Sequence, residues 1–270
     1  HSRGYRRYHD ACYEQIMSPP VAGADGALRR HPTHAWRRVC EIKDFVLDVA
    51  NKEDKFEQWK AMTMDGNLNK ACEYLKVCRE AEFMELFPDR HWHAFHNGIY
   101  YTNTATFYPW GSDAIPGDAI ACKYHQMAFN TGIMELSDWY DVPTPNLHQV
   151  LEFQLKELDP NERMDVSMWV YVFLGRLLFE VGEKDAWQVI MFVVGMAGTG
   201  KSTLLKAAGW FFEDEDVETL ANEGRKGDGG LETFINKMFW RCFEVKHNFA
   251  LDQAQFQSMV SGEPMTISRL

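Results

Sequence analysis

The sequence predicts an α/β protein in which a parallel-sheet domain fills the C-terminal half and a smaller α+β domain precedes it. Three observations lead there. Val189-Ile190-Met191-Phe192-Val193-Val194 is a continuous apolar run of strand length, and it passes through a glycine-rich turn into a helix-forming segment at Lys201. A run apolar on both faces belongs in a parallel sheet. Between Trp36 and Phe87, apolar residues recur at three- and four-residue spacing, the helical period. Between Trp92 and Trp110 the composition turns aromatic and β-branched, with Asn97-Gly98 and Thr102-Asn103-Thr104 as turns, which predicts a small antiparallel sheet.

Taken in order, residues 1–35 mix Arg, Gly, Pro and His without a period, notably in Ser18-Pro19-Pro20 and Gly23-Ala24-Asp25-Gly26, and read as a loosely packed arm. Residues 36–142 form the α+β domain: Val39, Phe45, Val46 and Val49, then Phe56 and Trp59, then Tyr74, Leu75 and Val77 outline short amphipathic helices, with Asp65-Gly66-Asn67 as a turn between them. Residues 143–270 form the parallel-sheet domain. It opens at Pro143-Thr144-Pro145-Asn146, which breaks the chain and caps a helix near Leu147 carrying the stripe Val150, Leu151, Phe153 and Leu155. A second helix runs from about Glu162 to Glu180, apolar enough over residues 168–181 to be buried, and the turn Val181-Gly182-Glu183-Lys184-Asp185 leads to the apolar run.

At 270 residues, 46% hydrophobic and 25% charged, the chain has an ordinary globular composition. The apolar stretch at 168–181 is too short to span a bilayer and contains Arg176, so no membrane association is expected. The first residue is His1, with no targeting pattern behind it, so the chain reads as a fragment or processed product. Six scattered cysteines without a C-x-x-C pair exclude a zinc ribbon and a disulfide framework; no structural zinc is expected, and a reducing, intracellular compartment fits. The net charge is −11, yet residues 1–40 hold seven Arg against three acids, +4, leaving −15 for the rest. Such an acidic body carries no general affinity for nucleic acid, so any such contact must come from local basic loops.

The chemistry-bearing motif is Gly195-Met196-Ala197-Gly198-Thr199-Gly200-Lys201-Ser202, which satisfies G-x-x-x-x-G-K-[ST] between an expected strand and an expected helix. Glycines let the backbone wrap phosphates with its N–H groups turned inward, and the helix N-terminus adds partial positive charge. Lys201 would bridge the β- and γ-phosphates of ATP, the Ser202 hydroxyl would take one position on Mg²⁺, and Thr203 would help start the helix. Hydrolysis needs an acid at the end of a neighbouring strand. Glu244, closing the run Phe239-Trp240-Arg241-Cys242-Phe243, supplies the candidate, although Arg241 is awkward in a central strand and Phe243 stands where many such ATPases carry a second acid.

Beyond the loop, several segments resemble the superfamily 3 helicases of large eukaryotic DNA viruses, including poxvirus-type primase-helicases and giant algal virus relatives. They are Phe87-Pro88-Asp89-Arg90-His91 with Ala94-Phe95-His96-Asn97-Gly98-Ile99-Tyr100, Pro143-Thr144-Pro145-Asn146, Gly175-Arg176-Leu177-Leu178, Trp187-Gln188-Val189-Ile190, Val245-Lys246 and Asn248. The most specific is Leu251-Asp252-Gln253-Ala254-Gln255-Phe256-Gln257-Ser258-Met259-Val260-Ser261-Gly262-Glu263. The resemblance implies an incomplete P-loop AAA+-like motor that forms a homo-hexamer and pulls single-stranded DNA through its centre. It implies that Glu244 polarises the attacking water near Mg²⁺, that Arg269 touches DNA phosphates, and that the protein works at a viral replication site or in a host nucleus or cytoplasm. It also implies that the sensor residue and arginine finger lie beyond Leu270, so this piece should bind ATP better than it hydrolyses it. Residues 221–230 keep only a general likeness to the family. The alternative is an ATP-binding remnant of a viral helicase without motor activity.

Other features have plainer readings. His91, His93 and His96 read as strand residues rather than a metal site. Cys72 and Cys78 read as packed thiols on a helix, and Glu213-Asp214-Glu215-Asp216 as a solvated turn. Tyr100, Tyr101, Phe107, Tyr108 and Trp110 read as core, with a base-stacking platform as the alternative.

Overall fold

The computed structural model describes residues 11–52, 65–77, 88–220, 234, 237–245 and 253–263. It divides into two compact units, residues 1–129 and 130–270. The architecture is mixed α/β with several sheets, one of them a mixed four-stranded sheet.

In the first unit, β1 (Ala11–Met17) pairs antiparallel with β4 (Pro32–Glu41), and the short strands β2 (Val21–Ala22) and β3 (Leu28–Arg29) form a hairpin between them. The expectation of a loose arm therefore fails for residues 11–35. Its lack of hydrophobic period is offset by cross-strand pairing and by turns such as Gly26, at φ +74°, with Gly26 N–H donating to the Gly23 carbonyl at 2.9 Å. The same pairing overrides the helical spacing at Trp36, which lies in β4 opposite Gln15.

Helix α1 (Ile42–Lys52) starts as β4 ends, and it buries Ile42, Val46 and Ala50 at four-residue intervals. Helix α2 (Asp65–Val77) buries Leu68 and Cys72 against that stripe, with Cys12 of β1 beneath both. Asp65-Gly66-Asn67, expected as a turn, is the first turn of α2. Phe56, Trp59 and Cys78 lie outside the described residues.

The four-stranded sheet runs in the order β7 (Thr106–Pro109), β6 (Gly98–Tyr101), β5 (Asp89–Phe95), β8 (Ala121–His125). The first three are antiparallel, as the aromatic and β-branched composition with its turns predicts, with His96-Asn97 as the two-residue β5–β6 loop and residues 102–105 as the β6–β7 turn. Strand β8 adds parallel to β5, making the sheet mixed where an antiparallel one was expected. The cause is the long crossing loop from Trp110 to Ile120, since a hairpin could only return antiparallel. One face packs Trp92, Ala94, Ile99 and Ala121 against Trp110, Ala119 and Ala35. The buried Trp110 indole satisfies its N–H on the carbonyls of Phe95 and His96 at 3.1 and 3.2 Å. Of the aromatic run, Tyr101 and Tyr108 join that core, while Tyr100 and Phe107 stack on Phe129 at 4.8 and 5.1 Å.

In the second unit, α3 (Pro145–Gln154) begins at Pro145, with Thr144 as its N-cap. Helix α4 (Pro160–Arg176) starts where Asp159 accepts the Glu162 and Asn161 N–H groups at 3.2 and 2.9 Å, which, Glu162 first, hold its carboxyl below the usual range. The burial expected over residues 168–181 is not found: Val170 is buried, but Trp169 is 43% exposed and the helix ends at Arg176. Helix α5 (Lys201–Gly209), the parallel pair β9 (Val217–Thr219) and β10 (Phe239–Arg241), and α6 (Gln253–Ser261) complete the described elements. Phe212, fully buried, packs on Phe239 at 6.1 Å, and Phe234 meets Trp240 at 4.8 Å. Asp216, expected in a solvated turn, is buried at the end of a short 3₁₀ turn, where its carbonyl accepts the Met238 N–H at 2.9 Å. Among the described residues the cysteines carry no disulfide and no helix is long and apolar enough to cross a membrane.

Candidate functional site

The lead-in to the glycine-rich loop is organised by one side chain. Arg176, at the end of α4, reaches across the Gly182 turn (φ +82°) and donates from Nε and Nη2 to the two carboxylate oxygens of Asp185 at 2.8 and 2.9 Å. The same guanidinium donates to the carbonyls of Trp187 and Val189 at 3.1 and 3.3 Å and stacks over the Phe173 and Trp187 rings. Asp185 also accepts the Trp187 N–H at 2.8 Å. The Arg176 guanidinium, and after it the Trp187 N–H, hold the Asp185 carboxyl below the usual carboxylate range. Sequence reasoning missed this arrangement. Its signals were an arginine closing an apolar helix and an aspartate just past a glycine turn.

Residues 189–194 do not form the buried strand that their composition predicts. Among the described residues they have no sheet partner, and Val189, Ile190, Phe192 and Val194 are exposed, Val194 at 92%. An apolar run is a strand only when neighbours take up its N–H and C=O groups, and the described parallel pairing of this unit stops at β9–β10.

The loop itself has the conformation its glycines require. Gly198 and Gly200 sit in the left-handed region at φ +79° and +83°, and Gly200 is the N-cap of α5. A Cβ on Gly195 would come within 3.1 Å of Thr199 Oγ1, and one on Gly200 within 3.7 Å of Val150, which places α3 beside the loop. Thr199 Oγ1 donates to the Met196 carbonyl at 2.8 Å. Lys201, the first residue of α5, folds back over the loop: its ammonium donates to the Gly195 carbonyl at 2.7 Å, to the Met196 carbonyl, and to Thr199 Oγ1 at 3.3 Å. Ser202 and Thr203 follow on the first turn of α5 with exposed side chains, and Ala197 lies in the exposed part of the loop.

Helix α5 packs its far end on the β9–β10 pair. Gly209 is buried because any Cβ there would meet Arg241 Nη1 at 2.9 Å and Val217 at 3.9 Å. That space resolves the awkward arginine: Arg241 lies beside Gly209, donates to Thr219 Oγ1 at 3.3 Å and covers the Phe243 ring at 5.0 Å. Strand β10 ends at Arg241, so Glu244 does not close it; Glu244 is exposed three residues further on, and its carbonyl accepts the Cys242 thiol at 3.1 Å. Burial raises the Cys242 thiol above its ordinary range.

The Ser261-Gly262-Glu263 segment closes α6. Gly262 is left-handed at φ +72°, the Glu263 N–H donates to the Ser258 carbonyl at 2.9 Å, and a Cβ on Gly262 would meet Val181 at 3.1 Å. The end of α6 thus packs on the turn that leads into the loop. Arg269 lies outside the described residues.

In the first unit, His93 is buried between His125, 3.4 Å away, and the Cys122 thiol at 3.6 Å. Burial, reinforced by His125, lowers the His93 pKa to about 3, and burial lowers that of His125 to about 4. Among the described residues no group of three or more His, Cys, Asp or Glu is placed to hold a metal ion. No protein-family model and no curated protein matches the chain.

Proposed function

We propose that the chain binds Mg²⁺–ATP through residues 195–203 and is part of a viral-type superfamily 3 DNA helicase. The observation that carries the reading is the loop. Two left-handed glycines and a lysine at the first position of the following helix are what phosphate binding asks of a backbone. Lys201, held on the carbonyls of Gly195 and Met196, keeps the loop closed on itself, and the same ammonium would exchange those carbonyl acceptors for phosphate oxygens when nucleotide binds. The hydroxyl of Ser202 and the carboxylate of Glu244 are hard oxygen donors of the kind Mg²⁺ takes, and Mg²⁺ when bound would shield the phosphate charge. Glu244 would orient the attacking water, Arg269 would touch DNA backbone, and a ring of six copies would translocate along single-stranded DNA. The setting would be the intracellular site of viral DNA replication.

A second reading, an ATP-binding remnant without motor activity, is favoured by two observations. Residues 189–194 have no sheet partner among the described residues, and Glu244 stands beyond the end of β10 rather than on it. ATPase turnover with and without single-stranded DNA decides between them, measured on this chain and on the complete reading frame that encodes it, beside Lys201→Ala and Glu244→Gln. DNA-stimulated turnover lost in both variants supports the motor. Nucleotide binding that needs Lys201, with no turnover in either length, supports the remnant.

A further inference from the structure

The core face of the four-stranded sheet opens at one edge into a cavity of about 310 Å³, within the size range of small-molecule sites. Its walls come from three neighbouring strands and the loop that crosses to β8. Trp92 of β5 stands directly opposite Tyr101 of β6, the two rings stacked at 4.3 Å, and Tyr108 of β7 leans over Trp92 at 6.0 Å and 41°. Opposite the rings, the loop contributes Pro116 and Asp118, held by the turn in which the Ala119 N–H donates to the Pro116 carbonyl at 3.1 Å, and the start of β5 contributes Asp89. The cavity has no basic side chain among its lining residues, and neither carboxylate has an ion-pair partner among the described residues. One Asp89 oxygen is occupied by the His91 N–H at 2.9 Å.

We infer that this cavity, lined by Trp92, Tyr101, Tyr108, Asp89 and Asp118, binds an alkylated ammonium group. Aromatic faces attract a cation through their quadrupoles, and they do so best for ammonium ions whose alkyl groups lower the cost of leaving water. The two carboxylates supply the net negative charge that the rings lack, and one of them, Asp118, is at the exposed rim where it would meet the ligand first. The carboxylates also disfavour an anionic or phosphorylated ligand. The site is in the first unit and its chemistry is independent of the nucleotide loop.

The test is ligand-observed NMR on the full chain with choline and, in parallel, its neutral isostere 3,3-dimethyl-1-butanol. Choline is expected to show saturable transfer at its methyl protons, with binding at least about fivefold tighter than the isostere, as a cation–π site requires. Asp118→Asn and Tyr108→Leu should each weaken choline about fivefold or more, while Asp113→Asn, on the same loop but outside the cavity, should leave it unchanged; circular dichroism confirms that each variant is folded. A trimethyllysine peptide run beside choline separates the two sources of the group, since preference for the peptide assigns a modified side chain and preference for choline a free metabolite. Equal binding of choline and the isostere, no saturable binding of choline or the peptide, or indifference to both cavity substitutions in folded protein would overturn the inference.

Discussion

Arg176 and Asp185 form a two-pronged ion pair across the glycine turn that precedes the glycine-rich loop, with both oxygens of the carboxylate engaged at 2.8 and 2.9 Å. The arginine also holds two backbone carbonyls of the segment beyond, so it fixes the path of residues that have no sheet to fix them. Arg176→Ala should therefore expose residues 186–196 to proteolysis far more than it lowers global stability, and limited digestion followed by mass mapping reads this directly. An unchanged cleavage pattern would show that the segment is held by something else.

The same pair gives a pH dependence of defined sign. The folded-state pKa of Asp185 is depressed, so its contribution is present above the unfolded carboxylate value and is lost as pH falls through the lower folded value. Wild type and Asp185→Asn should differ in thermal midpoint at neutral pH and converge in acid. The gap should also shrink with added salt, since the pair is partly solvent-exposed.

Gly198 has open space where a Cβ would go, yet its φ is +79°. Gly198→Ala thus isolates conformational strain from collision, at about 1–2 kcal/mol for a left-handed residue. Nucleotide binding by equilibrium dialysis should weaken about tenfold or more while the helical signal is preserved. Undiminished binding would mean that the loop takes up ligand in another conformation.

Lys201→Ala removes the ammonium from three loop acceptors that solvent can reach. Water can replace it there, so thermal stability should change little, whereas ATP affinity should fall about tenfold or more with the loss of a charge-assisted phosphate contact. Calorimetric titration beside a melting curve separates the two effects.

His93 and His125 are held neutral in the first unit, with pKa values near 3 and 4. Because both are depressed below the unfolded value of about 6.5, the unfolded chain binds the extra protons first. Stability is therefore full above that value and declines as pH falls toward 4. Denaturant titrations of His125→Phe should show a shallower decline over that window than wild type, and a slope identical to wild type would remove these histidines as its cause.

Local signals were legible without the fold. The two helix starts and the Gly182 turn rest on chemistry within a few residues of each position: the helices expected near Leu147 and from about Glu162 begin two residues earlier, at Pro145 and Pro160, and the glycine turn stands where expected. The antiparallel order of β5, β6 and β7 was equally readable, because aromatic and β-branched composition with short turns specifies it. Glu244 could be singled out by its spacing from the loop but not placed, since where β10 ends depends on its partner β9.

Residue type and spacing determined by themselves the G-x-x-x-x-G-K-S loop, its helix and the aromatic strands, because each is decided by short-range sterics and hydrogen bonding. Only the tertiary structure decided that residues 11–17 pair with 32–41, that β8 joins β5 in parallel, that Tyr101 and Tyr108 face a cavity while Tyr100 and Phe107 face Phe129, and that residues 189–194 have no sheet partner among the described residues. A strand exists only by virtue of its neighbours, and hydrophobicity records the wish for burial without saying which surface provides it.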